Sequence, residues 1–388
     1  MFNKINIEKF SKLQTPFYYY DLSLLNKTLE TLKETSGKSG YVIHYAVKAN
    51  SNDKILRIIK SYGFGADCVS GNEVIKAVET GFETKSIVFA GVGKSDGEIK
   101  TALRHDIFCF NAESIQELEV INEIAGTISK KAGIALRINP NVNAKTHHYI
   151  TTGLEENKFG INQWEFDAII NKLNSLKNLK LIGLHFHIGS QVTDPDVFKG
   201  LCIRVNEVQQ WFNDHQITFE HLNVGGGLGV NYEDPDKFSV PDFNSFFNIF
   251  NTFLKLQPEQ SLHFELGRTI AAQCGSLISK VLYVKDGMNT KFVILDAGMT
   301  ELIRPALYQA YHKIENLSSN GKKEKYDVVG PICETSDTFG KAVLLPWTKR
   351  GDLIVIRSAG AYGEVMSSRY NLRDPVRSIY SDEIRFSG

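Results

Sequence analysis

Reactive side chains stand repeatedly at the carboxyl ends of short apolar runs in this sequence, the place where a β/α barrel keeps its chemistry. Lys48 ends the run 41–47, which is apolar except at His44. Its ammonium therefore leaves a buried strand for a partly desolvated pocket, a setting that lowers a lysine's pKa and suits it to Schiff-base formation. A strand-end lysine reaching solvent is the competing reading. Asp67 and Arg137 end two further runs, and both an ion pair between them and separate cofactor contacts remain open. The turn Gly225-Gly226-Gly227-Leu228-Gly229 follows another run, and its small residues allow backbone N–H groups to form an anion-holding nest. A tight turn without ligand explains it equally, and the spacing is not that of a dinucleotide-binding loop.

Glu265 ends a mostly apolar run, so in its ionised form it needs a cationic partner, either Arg268 or a protonated ring nitrogen. His185 and His187 are expected on opposite sides of their strand, so that only one faces the mouth. His187 is then either a satisfied core residue or a ring that stacks on a flat cofactor. No third histidine or carboxylate at ligand spacing supports a metal site. The stretch Gly91-Val92-Gly93-Lys94-Ser95 is not a P-loop, because Val88 stands where the first glycine belongs.

A second constellation lies later in the chain. Gly330-Pro331-Ile332-Cys333-Glu334-Thr335-Ser336-Asp337 sets a cysteine beside carboxylates, and Ser358-Ala359-Gly360-Ala361-Tyr362-Gly363 follows it. A buried, inert cysteine with solvated acids remains the plain alternative. Arg304 and Tyr308 are four residues apart, hence on one face of a helical turn, where together they can hold a carboxylate.

The elements that must position these groups are eight short β-like runs, at 41–47, 65–69, 87–90, 107–110, 134–139, 181–188, 219–225 and 262–267. Amphipathic stretches separate them, one opened by Ser95 with Glu98 three residues on. That alternation predicts a (β/α)8 TIM-like barrel rather than an open sheet. After it, the segments 276–285, 291–296, 325–329 and 352–358 are β-rich, predicting an antiparallel β domain of sandwich or barrel-like form. We expect a barrel at 22–267 and a β domain at 268–388, the latter joined by 1–21 through the strand-like segment 16–21.

The 388 residues carry 44 Lys+Arg against 44 Asp+Glu, a balance that gives no footprint for nucleic acid. No signal peptide or 18-residue apolar run is evident, so we expect a cytoplasmic chain without a membrane partner. Five scattered cysteines, none spaced C-x-x-C, argue against a disulfide framework and a zinc ribbon.

Six motifs in order carry a family resemblance: Tyr45-Ala46-Val47-Lys48-Ala49-Asn50, His185-Phe186-His187-Ile188-Gly189-Ser190-Gln191, Gly225-Gly226-Gly227, Glu265-x-Gly267-Arg268, the Gly330 to Asp337 stretch, and Gly360-Ala361-Tyr362-Gly363. The chain resembles the fold type III pyridoxal-phosphate decarboxylases over nearly its whole length. Two more stretches resemble the branch acting on meso-2,6-diaminopimelate: Arg137-Ile138-Asn139-Pro140-Asn141-Val142 through Thr152-Gly153 to Lys158-Phe159-Gly160, and Leu302-Ile303-Arg304-Pro305-Ala306-Leu307-Tyr308.

The resemblance implies that Lys48 bonds the cofactor pyridoxal 5'-phosphate, that His187 stacks on its ring and that Glu265 pairs with its ring nitrogen. Ser190, the backbone of Gly225, Gly226 and Gly227, and Gly267 with Arg268 would hold the phosphate, with Asp67 and Arg137 as further cofactor contacts. Arg268, Arg304, Tyr308, Glu334 and Tyr362 would contact substrate, Tyr362 also lying near the phosphate, and Cys333 would donate a proton. A homodimer with shared sites is implied, Cys333 and Glu334 serving the partner's Lys48. The implied reaction gives L-lysine and CO2, the last step of lysine synthesis. Siblings acting on ornithine, arginine or carboxynorspermidine, or an amino-acid racemase, are the rivals. A substrate whose far end bears both an ammonium and a carboxylate needs opposite charges to grip it, and Arg304 favours such a substrate over ornithine. The family usually reads Glu-Pro-Gly-Arg where this chain has Leu266, which questions the rigidity of that loop.

Overall fold

The computed structural model describes residues 4–142 and 158–385; Thr152 and Gly153, from one of the motif stretches above, lie outside them. A first strand, β1 (Phe17–Tyr20), is followed by eight that close a parallel barrel: β2 (Val42–Ala46), β3 (Gly65–Cys68), β4 (Ile87–Phe89), β5 (Cys109–Ala112), β6 (Ala132–Ile138), β7 (Leu179–Phe186), β8 (His221–Asn223) and β9 (Ser261–Leu266). Closure is made by β2 and β9, with His44 opposite Glu265 and Tyr45 opposite Leu266. All eight runs read from the sequence are strands, although β5 lies two residues later than its apolar run because Asn111 is an inward-facing strand residue.

Helices fill the connections for local reasons. Ser70 and Ser114 cap their helices by accepting from the backbone of Glu73 and Glu117, and Ser95 with Glu98 forms a reciprocal capping box. The helix Asp53–Ser61 buries Ile55, Leu56 and Ile59 on one face. Lys94, rejected above as a phosphate-binding lysine, is buried and bonded to the carbonyls of Gly91 and Asn111 and to Glu117, which fixes that loop.

One part of the barrel interior is polar. His44 Nδ1 lies 3.0 Å from the Ser86 carbonyl, its Nε2 2.9 Å from His263 Nδ1, and His263 Nε2 2.9 Å from Ser261 Oγ, which lies 2.6 Å from His221 Nδ1. A carbonyl only accepts, so His44 donates from Nδ1; a neutral His44 ring then accepts at Nε2, and His263 donates from Nδ1. Burial first, reinforced by the neighbouring histidines, holds the His263 pKa down to about 2 and lowers that of His44.

The remaining strands form a second sheet: β10 (Gly275–Asp286), β11 (Lys291–Leu295), β12 (Ile314–Asn316), β13 (Lys323–Val329), β14 (Thr338–Pro346), β15 (Leu353–Ile356) and β16 (Arg377–Tyr380). Their order is β12-β15-β10-β11-β13-β14, with β1 beside β10 and β16 beside β1. Pairing is mostly antiparallel; β11–β13 and β1–β16 are parallel. Two compact units result. Leu29–Gly229 with Asp242–Arg268 makes one, and Met1–Thr28, Val230–Pro241 and Thr269–Gly388 make the other. No helix among the described residues is long and apolar enough to cross a membrane.

Candidate active site

In the barrel unit, the strand ends converge. Lys48 sits in a short helical turn after β2, and its Nζ lies 3.3 Å from Oδ2 of Asp67, the last residue but one of β3. Asp67 is fully buried, and its Oδ1 has no hydrogen-bond partner among the described residues. Burial, then the charge of Glu265, pushes its carboxyl upward despite Lys48.

Glu265 lies near the end of β9. Its Oε1 accepts from Nδ2 of Asn111 at 3.0 Å and of Asn223 at 2.8 Å, and its Oε2 from His185 Nε2 at 2.9 Å. Burial opposes ionisation, yet the charge and hydrogen bond of His185, with Lys48 behind them, hold the pKa well below the usual carboxylate range. Two carboxyl groups in one mouth are thus driven apart. The alternative partner Arg268 is instead bound to Ser190, whose Oγ accepts from Nε at 3.1 Å and Nη2 at 3.0 Å.

The expectation that His185 and His187 face opposite sides is corrected here: residues two apart on a strand share a face. His185 reaches Glu265 from inside the barrel, and His187 lies 3.4 Å from the backbone nitrogen of Gly226. Burial, then the charges of Lys48 and Arg137, keeps His187 well below the ordinary imidazole value. The glycine turn is seated closely against it. Gly225 and Gly227 have φ of +70° and +106°, and a Cβ on Gly226 would stand 2.0 Å from the Glu265 carbonyl oxygen. Asn223 joins turn and carboxylate, since its Oδ1 also accepts from the Gly225 amide at 2.9 Å.

Arg137 and Asp67 do not form the ion pair left open above. Arg137 pairs at 2.5 Å with Glu113, which also accepts from the amides of Gly91 and Gly160. Glu113, Asn111, Asn223 and the His185 contact were missed in the sequence. Their signal was a polar residue at an inward position near a strand end: Asn111 and Glu113 are two apart and share a face. Leu266 is buried and paired with Tyr45, so the ladder, rather than a proline ring, fixes that strand end. Gly267 follows, packed where a Cβ would lie 3.0 Å from Ala46 and Ala49.

In the β unit, Arg304 opens the helix Arg304–Tyr308 and is buried, with Nη1 3.0 Å from both Tyr232 Oη and His312 Nε2. Tyr308 ends the same helix and is half-buried. Cys333 is exposed in a turn pinned by Asp337, which accepts from the amides of Ile332 at 2.7 Å and Met299 at 2.6 Å. Glu334 accepts from the Tyr370 hydroxyl at 2.7 Å. Tyr362 is half-buried with φ of +55°, a backbone state rare for a bulky residue and often found at functional sites.

A closed β/α barrel whose mouth holds a lysine, a buried glutamate and a glycine turn suits a pyridoxal-phosphate enzyme, and the match of residues 22–272 to the family model described as pyridoxal-dependent decarboxylase, pyridoxal binding domain, makes the chain a pyridoxal-dependent decarboxylase. The chain is 59% identical to a diaminopimelate decarboxylase of Bacteroides thetaiotaomicron, over 97% of this chain and 98% of that one. The solved diaminopimelate decarboxylase of Helicobacter pylori complexed with L-lysine superposes with a TM-score of 0.90 at 39% identity, covering 96% of this chain and 93% of that one. That of M. jannaschii in co-complex with L-lysine gives 0.88 at 35%, covering 97% and 89%. The chain belongs to the diaminopimelate decarboxylase family.

Its cofactor is pyridoxal phosphate, and the barrel fits that group. Glu265 uses three of a carboxylate's roughly four acceptor sites, which leaves Oε2 capacity for one more donor, such as a ring N–H. Two buried atoms in the same mouth, Asp67 Oδ1 and His185 Nδ1, have no hydrogen bond among the described residues.

Proposed function

We propose that this chain removes one carboxyl group of meso-2,6-diaminopimelate as CO2 and releases L-lysine, the closing step of lysine synthesis. The observation that carries the reading is the buried Glu265 carboxylate, kept ionised by His185, Asn111 and Asn223 in the mouth that also presents Lys48.

Pyridoxal phosphate, when bound, supplies the electron sink that decarboxylation at Cα requires. Lys48 would hold its aldehyde carbon, and Asp67 steadies the Lys48 ammonium before that bond forms. Glu265 would keep the ring nitrogen protonated, because an ionised carboxylate in a buried site favours the cation beside it. His187, neutral and seated on the glycine turn, offers a flat uncharged face for the ring. Ser190 and Arg268 would offer donors to the phosphate, and the backbone turn of Gly225, Gly226 and Gly227 would let it approach closely. Asp67, Arg137 and Gly267 act by shaping this mouth.

In the β unit, Arg304 with Tyr308 and Tyr362 would receive the substrate's far carboxylate, together with Arg268, and Glu334 its far ammonium. Cys333 would return the proton to Cα as general acid. Because Cys333 and Glu334 are expected to serve the partner's Lys48, the working form is a homodimer with shared sites, in the cytoplasm. For catalysis we keep the division into a barrel at 22–267 and a β domain at 268–388 joined by 1–21.

The test is CO2 release from diaminopimelate, ornithine, arginine and carboxynorspermidine by the purified protein, with chiral analysis of the product. Preference for diaminopimelate and formation of L-lysine support the reading. Preference for ornithine, or inversion without CO2, contradicts it. Mixing inactive Lys48→Ala and Cys333→Ala proteins tests the shared sites: random exchange restores about a quarter of wild-type activity if each site draws on two chains.

A further inference from the structure

Arg304 is held by two neighbours to which neither the motifs nor the proposed mechanism assigns a task. Its guanidinium nitrogen Nη1 has two hydrogens and faces two acceptors, Tyr232 Oη and His312 Nε2, each at 3.0 Å. Arginine has only donors to offer, so His312 must accept at Nε2. Its Nδ1 therefore carries the ring hydrogen, which it gives to the Arg357 carbonyl at 2.9 Å. The ring is neutral in one tautomer, and a proton on Nε2 would set two cations against each other. The Tyr232 ring also lies under the guanidinium, 5.2 Å from Cζ, and meets the His312 ring edge-on at 5.0 Å.

Both neighbours are themselves fixed. His312 lies two residues before β12, where the Lys313 carbonyl accepts from the Arg357 amide at 2.9 Å and continues the β12–β15 ladder. The Arg357 side chain is clamped by Asp236 and Glu315, each with a contact of 2.8 Å. Tyr232 and Asp236 come from Val230–Pro241, a segment that interrupts the barrel sequence yet belongs to the β unit. Tyr232, Arg304 and His312 are all buried.

We propose that His312 and Tyr232 are positioning residues for substrate selection: by taking both hydrogens of Nη1 they fix the plane in which Arg304 meets a carboxylate. Recognition of a carboxylate by arginine depends on that plane, because two parallel N–H bonds must align with two oxygens. Loss of one acceptor frees the planar guanidinium to turn about Cδ–Nε and weakens the grip on a carboxylate while leaving ammonium contacts intact. This inference rests on the reading of Arg304 as the receiver of the far carboxylate.

The experiment compares the wild type with His312→Leu, His312→Gln and Tyr232→Phe as holoenzymes, measuring KM and kcat for diaminopimelate and inhibition by L-lysine and by cadaverine, which is lysine without its carboxylate. Leucine at 312 and phenylalanine at 232 should raise the KM and the lysine inhibition constant about tenfold, with kcat and cadaverine inhibition nearly unchanged. Glutamine, which restores an acceptor near Nε2, should recover most of the loss. Equal weakening of lysine and cadaverine, or no weakening of either, overturns the positioning role. A wild type that binds lysine no better than cadaverine overturns the Arg304 reading itself. If His312→Leu does not fold, Tyr232→Phe, which removes a single oxygen, decides the matter alone.

Discussion

His185 and Glu265 face each other inside the barrel at 2.9 Å, on strands that are not neighbours. The contact lets a buried carboxylate stay ionised beside a hydrogen-bonding imidazole and two amides, without an arginine drawn across the mouth. An arginine there would compete with a protonated ring for the same oxygens. Arg268 is engaged by Ser190 instead.

Glu265→Gln keeps the volume and removes the charge. The amide nitrogen it introduces also meets donors from Asn111, Asn223 or His185, which it cannot accept. We expect kcat to fall at least about a hundredfold with a much smaller change in KM, the mark of a group acting on developing charge. Steady-state CO2 release measures this, and a kcat within twofold of wild type would contradict the role given to Glu265.

Arg137 and Glu113 make a buried pair at 2.5 Å. Glu113→Ala strands the Arg137 guanidinium and frees the amides of Gly91 and Gly160, so we expect a loss of about 3–5 kcal/mol in unfolding free energy. Arg137→Met with Glu113→Leu together should recover much of that. Chemical denaturation reads both, and an unchanged single mutant would mean that the pair is not holding the strand ends.

The barrel was legible because its eight strands are short, apolar and separated by capped helices, a pattern that periodicity reads well. β14 was not, because of its nine residues only Phe339 and Leu345 are buried, while Gly340 and Lys341 separate Phe339 from the short apolar stretch 342–345, so neither period nor length marks it as a strand. Lys48, Glu265 and the glycine turn stood out as polar or small residues ending such runs. Asn111 and Asn223 did not, since an amide near a strand end reads as the start of a turn, and only closure of the barrel shows that both point at Glu265. Tyr232 was hidden for another reason: it follows the glycine turn in sequence but belongs to the other unit.

His263 gives a pH prediction. Its folded pKa of about 2 lies below an unfolded value of about 6.5, so the unfolded chain binds the extra proton in acid. Its contribution to stability is complete above about pH 6.5 and is lost as pH falls from there, by about 1.4 kcal/mol per pH unit. Wild type should therefore be more stable than His263→Gln at pH 7.5, and the gap in melting temperature should narrow by pH 5. A gap that stays constant or widens would show that this ring does not remain neutral in the folded barrel.

The central claim is that Lys48, beside Asp67 at the end of the first barrel strands, is the amine that bonds the cofactor. Borohydride reduction of the purified holoenzyme followed by peptide mapping tests it most directly. We predict a single reduced pyridoxyl label on the peptide containing Lys48 and none in Lys48→Ala; a label on any other lysine would contradict the account.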